Sequence, residues 1–241
     1  MLRRAPSLTD QVKSHIKDLI VRGEFPDGRI PPETELAGEL GVSRTTVRDA
    51  LSRLEIEGAI SRKQGAGTFV NDPVLQIHSR LEEIWSYEAM LRAHGFTPSI
   101  RVLESDVRPA SSEIRGDLGL APGEQVLFIS KLFLEDDVPV ILAENHIPVR
   151  LLTEPYLPED LARPVYDVLE SFGRQRLAYY LSEIIPKTAD STLADVLQIR
   201  PDSPLISFSE IGYNDENEPI LKASSFFRDD LLRLRLLRRR V

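Results

Sequence analysis

The sequence predicts an α+β protein in two parts: a small N-terminal unit of three helices and a hairpin, then a larger body of helices on an antiparallel sheet. Three observations carry this. Apolar residues at the start recur at helical spacing in three runs, each closed by a glycine (Gly23, Gly41, Gly58). Two β-like runs follow, Ala59–Arg62 and Gly67–Val70, around Lys63-Gln64-Gly65-Ala66. The rest of the chain holds two pairs of long apolar runs, each bent about an acidic turn.

Taken in order, residues 8–22 read as an amphipathic helix with Val12, Ile16, Leu19 and Ile20 on one face. Pro26-Asp27-Gly28 is a turn, and Ile30-Pro31-Pro32 an extended lead-in to a helix over 33–40 carrying Leu36, Ala37 and Leu40. Gly41 suits the left-handed end of that helix, and Ser43 the N-cap of the next. Val47, Ala50, Leu51 and Leu54 then define a buried stripe to about Glu57. Arg44, Thr45, Thr46 and Arg48 sit largely off the stripe, at the helix start. Cations and hydroxyls in that place are what a major-groove recognition helix needs for phosphates and base edges. Three helices and a hairpin in this order form a winged helix-turn-helix.

Asn71-Asp72-Pro73 breaks the pattern, so the expected boundaries are a DNA-binding domain over 1–72, a linker over 73–79 and a second domain over 80–241. The second begins with a helix at about 77–93 (Ile77, Leu81, Ile84, Trp85, Leu91), then a strand over 99–108, a helix over 111–119 and the turn Leu120-Ala121-Pro122-Gly123. Val126–Leu134 and Val138–Ile147 flank the turn Glu135-Asp136-Asp137. One or two short helices over 158–172, a strand over Arg176–Ile185 and a helix over 188–198 follow. Leu205–Tyr213 and Pro219–Phe227 form the last hairpin, around Asn214-Asp215-Glu216-Asn217. A weak duplication runs through this domain: helix, turn, strand, acidic turn, Pro139, strand is echoed by helix, Ile199-Arg200-Pro201-Asp202, strand, acidic turn, Pro219, strand. It implies two half-sheets with a cleft between them; convergent turn chemistry is the alternative.

Charge separates the same two parts. The chain of 241 residues has net charge -8, yet residues 1–72 hold 11 Lys and Arg against 11 Asp and Glu. All the excess acidity lies in the second part, so DNA binding requires a locally basic face. The absence of cysteine excludes disulfides and thiol catalysis. No run approaches the roughly 20 apolar residues of a membrane span. Met1–Pro6 lacks the apolar core of a secretory signal, and a cytoplasmic protein is expected.

Ile30-Pro31-Pro32-Glu33-Thr34-Glu35-Leu36-Ala37, the run Gly41–Leu51, Leu54, Glu57-Gly58 and Gly65–Val70 together resemble the GntR family winged-helix domain. Pro32 departs from it, standing where the family usually has Ser or Ala. Beyond residue 78 the chain resembles the ligand-sensing UTRA domain of the HutC subfamily, a chorismate lyase-like fold. The matching marks are Gly95-Phe96-Thr97-Pro98, Leu118-Gly119-Leu120, Gly123, the Pro139 hairpin, Glu144 to Pro148, Tyr166 and Phe227-Arg228-Asp229.

The resemblance implies a ligand-responsive repressor that binds a palindromic double-stranded operator as a homodimer. It places DNA contacts on Thr34, Ser43, Arg44, Thr45, Thr46, Arg48 and, at the wing tip, Gln64 and Gly65. In UTRA domains that bind sugar phosphates, two basic positions and a Ser before the Tyr hold the phosphate. Here those positions read Lys131, Phe133, Pro164 and Tyr166. A dianion needs several charge-assisted donors, so a smaller anion or a more apolar metabolite is expected, near Ser99, Lys131, Phe133, Glu144, Tyr166 and Arg228.

Neither cofactor nor metal is expected, since His78, His94 and His146 lack ligand spacing. An enzyme fused to a DNA-binding head is the first alternative. Against it, the sequence has no Cys, clustered His, nucleophile elbow or phosphate loop. A constitutive architectural DNA binder is the second. The arginine-leucine tail Arg233–Arg240 reads as a final strand or helix with a solvated basic face, with a DNA-binding tail as the alternative.

Overall fold

The computed structural model describes residues 7–25, 27–71, 84, 86–93 and 95–228. They fall into two compact units, one ending at residue 71 and the other beginning at residue 84. The expected linker, Trp85, His78, His94 and the arginine tail lie outside the described residues.

The first unit runs α1 (Leu8–Val21), β1 (Arg29–Ile30), α2 (Glu33–Leu40), α3 (Arg44–Ile56), β2 (Ile60–Lys63) and β3 (Gly67–Val70). Local chemistry sets the helix ends. Ser7 accepts the Asp10 N–H at the start of α1, Gly41 ends α2 at φ 63°, and Ser43 accepts the Thr46 N–H at the start of α3. Pro32 gives α2 no side-chain cap. The three apolar stripes meet in one core of Val12, Ile16, Ile20, Leu36, Val47, Leu51 and Leu54. Each such fully buried aliphatic side chain contributes roughly 1.5–3 kcal/mol. The lead-in before α2 differs from expectation: Arg29 and Ile30 pair with Phe69 and Thr68, making the wing a three-stranded antiparallel sheet of order β1-β3-β2. Burial of Ile30 in the helical core fixes that strand.

The second unit runs α4 (Tyr87–Ala93), β4 (Pro98–Pro109), α5 (Ser112–Leu118), β5 (Gln125–Glu135), β6 (Val138–Pro148), α6 (Val165–Gly173), β7 (Tyr179–Thr188), α7 (Ser191–Leu197), β8 (Pro204–Tyr213) and β9 (Pro219–Arg228). All strands join one antiparallel sheet of order β4-β5-β6-β9-β8-β7. β7 begins three residues later than the sequence suggests, with the Ala178 N–H already bonded to the Tyr213 carbonyl.

That strand order is symmetric about the β6–β9 pair, and the element order repeats in tandem: helix, strand, helix, strand, strand occurs twice. The caps repeat as well. α5 starts on Ser111 and ends at Gly119 (φ 61°), and α7 starts on Asp190 and ends at Gln198 (φ 52°). The internal duplication is thus visible as a pseudo-twofold between β6 and β9. Side chains alternate faces along each strand. α7 covers one face, against Leu132, Leu142 and Phe226. α4 and α6 cover the other: Met90 and Leu91 pack on Phe133, Ile141 and Phe227, and Val168 and Leu169 on Leu127, Ile129 and Ala223. The edge strands β4 and β7 leave large apolar residues exposed, chiefly Leu181 (61 %) and Ile184 (55 %) on β7.

Candidate DNA-reading face and effector cavity

In the first unit the start of α3 is built by its cap. Ser43 Oγ accepts the Thr46 N–H at 3.1 Å and lies 2.8 Å from Thr46 Oγ1, which holds the first turn rigid. Arg44 and Thr45 project into solvent from that turn, Thr34 is exposed on α2, and Thr46 is half-buried. At the wing tip Gln64 and Gly65 are exposed, and Gly65 takes φ 76° so that the Ala66 N–H can close on the Lys63 carbonyl at 3.0 Å. Arg48 is not free: its Nη2 and Nε both lie 3.1 Å from Glu33 Oε2. The hydrogen bond to Glu33 raises the Arg48 pKa further. The sequence reading missed two neighbouring cations. Arg62 donates from Nη2 to the Arg48 carbonyl, and the Arg29 guanidinium lies against Gly67. Pairing of β1 with the wing brings Arg29 there, and a two-residue strand leaves little signal in sequence.

In the second unit a cavity of about 470 Å³ lies on the α4–α6 face of the sheet. That volume suits a small metabolite. Lys131 and Phe133 of β5 line it, with Tyr166 at the start of α6. Ser99, Glu144 and Arg228 do not. Ser99 is exposed on the edge strand β4, on the opposite face from Ile100. Glu144 lies between the cavity-lining Ala143 and Asn145, so strand alternation turns it away. Arg228 donates to the Pro139 carbonyl at 2.9 Å and ties strand ends together.

Lys131 is 2 % exposed and donates from Nζ to the Arg163 carbonyl. Burial pulls its pKa down to about 8, against the opposing pull of Glu88 and Asp167. α6 starts at the cavity wall, and its N-cap Pro164 offers its first N–H groups no side-chain acceptor. A buried ammonium beside an uncapped helix start is an anion-receptive corner. Across the cavity stand Glu210 of β8 and Ser182 of β7, with Ser182 Oγ donating to Glu210 Oε1 at 2.5 Å. Burial raises the Glu210 pKa; Ser182 and Lys222 oppose it. Tyr87, Tyr180, Phe208 and Phe227 supply aromatic walls. The sequence reading missed Asn145, Glu210 and Ser182; the duplication carries the signal for Glu210 alone, because Lys131 opposite Ala143 repeats as Glu210 opposite Ala223. Among the described residues, no three His, Cys, Asp or Glu side chains cluster as a metal site would require.

A winged head followed by a sheet domain with a ligand-sized cavity defines a class, the DNA-binding regulator with its own sensor. Comparison with known proteins agrees. Residues 8–70 match the bacterial regulatory proteins of the gntR family, and residues 93–233 match the UTRA domain. The chain belongs to the GntR family of bacterial transcription regulators, in its HutC-type branch with a UTRA effector-binding domain. It is 29 % identical over 222 residues to the transcriptional repressor NagR of Bacillus subtilis, covering 91 % of this chain and 90 % of that one. It is 30 % identical to the histidine utilization repressor of Pseudomonas putida, over 80 % of this chain and 72 % of that one. These relatives are regulators, not enzymes. The fold is shared with YydK of Bacillus subtilis (TM-score 0.77, 17 % identity, 99 % of this chain and 100 % of that one). It is shared also with PhnF of Mycobacterium smegmatis (TM-score 0.60, 24 % identity, 95 % and 99 %).

Proposed function

We propose that this chain is a cytoplasmic, homodimeric repressor whose operator affinity is set by a small acid bound beside Lys131. The observation that carries the reading is the cavity of about 470 Å³ with a buried lysine in its wall. A phosphate dianion is a poor fit, since Phe133 and Pro164 contribute no charge and no hydroxyl. DNA is read by Thr34, Ser43, Arg44, Thr45, Thr46 and Arg48, with Gln64 and Gly65 approaching the backbone or minor groove. One α3 spans few base pairs, so two heads on a palindrome supply the length of a specific site. The exposed apolar edge strand β7 supports association of two copies. Domain limits of 1–72, 73–79 and 80–241 complete the reading, with the linker passing the sensor's state to the head.

The test is a mobility-shift assay on operator fragments selected from genomic DNA, with and without a panel of small carboxylic acids. An acid that changes operator affinity in the native chain should fail to do so in Lys131→Met, while DNA binding without acid is retained. An undiminished response in that variant overturns the placement of the effector beside Lys131.

A further inference from the structure

The pseudo-twofold exposes a charge inversion inside the cavity. The register pair Lys131–Ala143 on β5 and β6 has as its repeat mate the pair Glu210–Ala223 on β8 and β9. Both charged side chains line the cavity, one in each half, at equivalent strand positions on opposite sides of the axis. One half presents an ammonium with the Glu88 carboxylate near it, the other the Glu210 carboxylate, and Ala143 and Ala223 stand on the two strands between. Lys131 Nζ turns to the Arg163 carbonyl, while Glu210 turns to Ser182. The two charges do not neutralise each other; each has local partners, Glu88 and Asp167 near Lys131 and Ser182 at Glu210.

A second observation lies in the same cavity. Asn145 is 5 % exposed and lines the cavity, yet its amide has no hydrogen-bond partner among the described residues. It sits in the row Asn145–Ala223–Glu210–Ser182, which crosses β6, β9, β8 and β7. Ala223 leaves a gap in that row, so a polar group resting over it meets an amide on one side and a carboxylate on the other. The amide faces the cavity, where a ligand can bond it.

We infer that the effector is a small zwitterion whose carboxylate lies at Lys131 and the start of α6 and whose amine rests over Ala223 between Asn145 and Glu210. This rests on the cavity being the effector site and names the class of molecule it takes. The helix start fixes the orientation, since its N–H groups favour the acid end. The aromatic walls cover the aliphatic stem.

The test is calorimetric titration of the full chain with three sets of probes: straight-chain ω-amino acids of four to eight carbons, the matching acids without the amine, and the matching amines without the acid. At least one amino acid should bind ten-fold or more tightly than both its truncated partners. Glu210→Gln should bring that amino acid level with its plain acid, and Asn145→Ala should weaken it without touching the plain acid. A plain acid that binds as well as its amino counterpart, with Lys131→Met abolishing both, overturns the zwitterion and leaves the cavity as an acid site. If no probe of any set binds, or if Lys131→Met and Glu210→Gln leave binding unchanged, both the zwitterion and its placement are overturned.

Discussion

Stability and sensing pull in opposite directions at Lys131. Its ammonium is sealed under α6, and burial holds its pKa at about 8 against an ordinary 10.5. At 1.36 kcal/mol per tenfold, that gap corresponds to a folding cost of about 3 kcal/mol while the group is charged in both states. Between the two values the unfolded chain binds the proton and the folded chain does not, so stability rises with pH across that window. Below about 8 both states carry the charge and the full cost remains. Lys131→Met keeps the length of the side chain and removes the charge. The Arg163 carbonyl then loses its donor, which offsets about 1 kcal/mol. The variant should therefore gain about 2 kcal/mol at neutral pH, and the gain should vanish as pH approaches 10.5. Differential scanning calorimetry of both proteins, run at intervals from neutral pH to about 10, measures it. A variant less stable than the native chain at neutral pH, or a difference that does not change with pH, refutes the reasoning. The same titration governs the ligand: a carboxylate held by the ammonium should lose affinity about tenfold per pH unit above about 8.

Three further outcomes follow from particular contacts. Arg44→Ala should weaken operator binding by about 1–3 kcal/mol in a mobility-shift titration at physiological salt, and unchanged affinity removes Arg44 from the reading face. Glu33→Gln should release Arg48 and strengthen DNA binding roughly threefold at low salt; a gain that persists undiminished at high salt contradicts an exposed ion pair as the cause. Gly173→Ala should destabilise the sensor unit by about 1–3 kcal/mol, because the new Cβ would stand 2.8 Å from the Leu151 carbonyl oxygen. Thermal melting with no loss for that variant would show that the loop bearing Leu151 yields freely.

The head was legible in sequence because its rules are local. Gly41, Ser43 and the stripe Val47, Ala50, Leu51 and Leu54 each report on neighbours within two turns, and the structure places all of them as their spacing requires. Strand limits in the sensor were legible for the same reason, since acidic turns and Pro139 or Pro219 bracket them. The cavity was legible only in part. Lys131, Phe133 and Tyr166 line it, but Glu144 missed by one residue, and one residue along a strand is the other face. Ser99 failed because it lies on the other face of the edge strand from Ile100, and Arg228 because it follows the cavity-lining Phe227 and is tied to the Pro139 carbonyl. Glu210 becomes visible once the two repeats are laid over one another, and the repeat needed the strand order to become convincing.

The palindromic sheet also dictates an order of assembly. β5–β6 and β8–β9 close as hairpins, and β4 and β7 join them across the short helices α5 and α7, so each half gathers from contacts near in sequence. Only the β6–β9 seam, Ile141–Phe227 to His146–Lys222, joins segments separated by most of the domain. Seam closure bears the largest loop entropy and belongs to the slow part of folding. The cavity straddles that seam, with walls from both halves, so it does not exist until the last joint is made. A ligand seated there grips the final contact to form and the first to open, which slows unfolding of the sensor without touching either half alone.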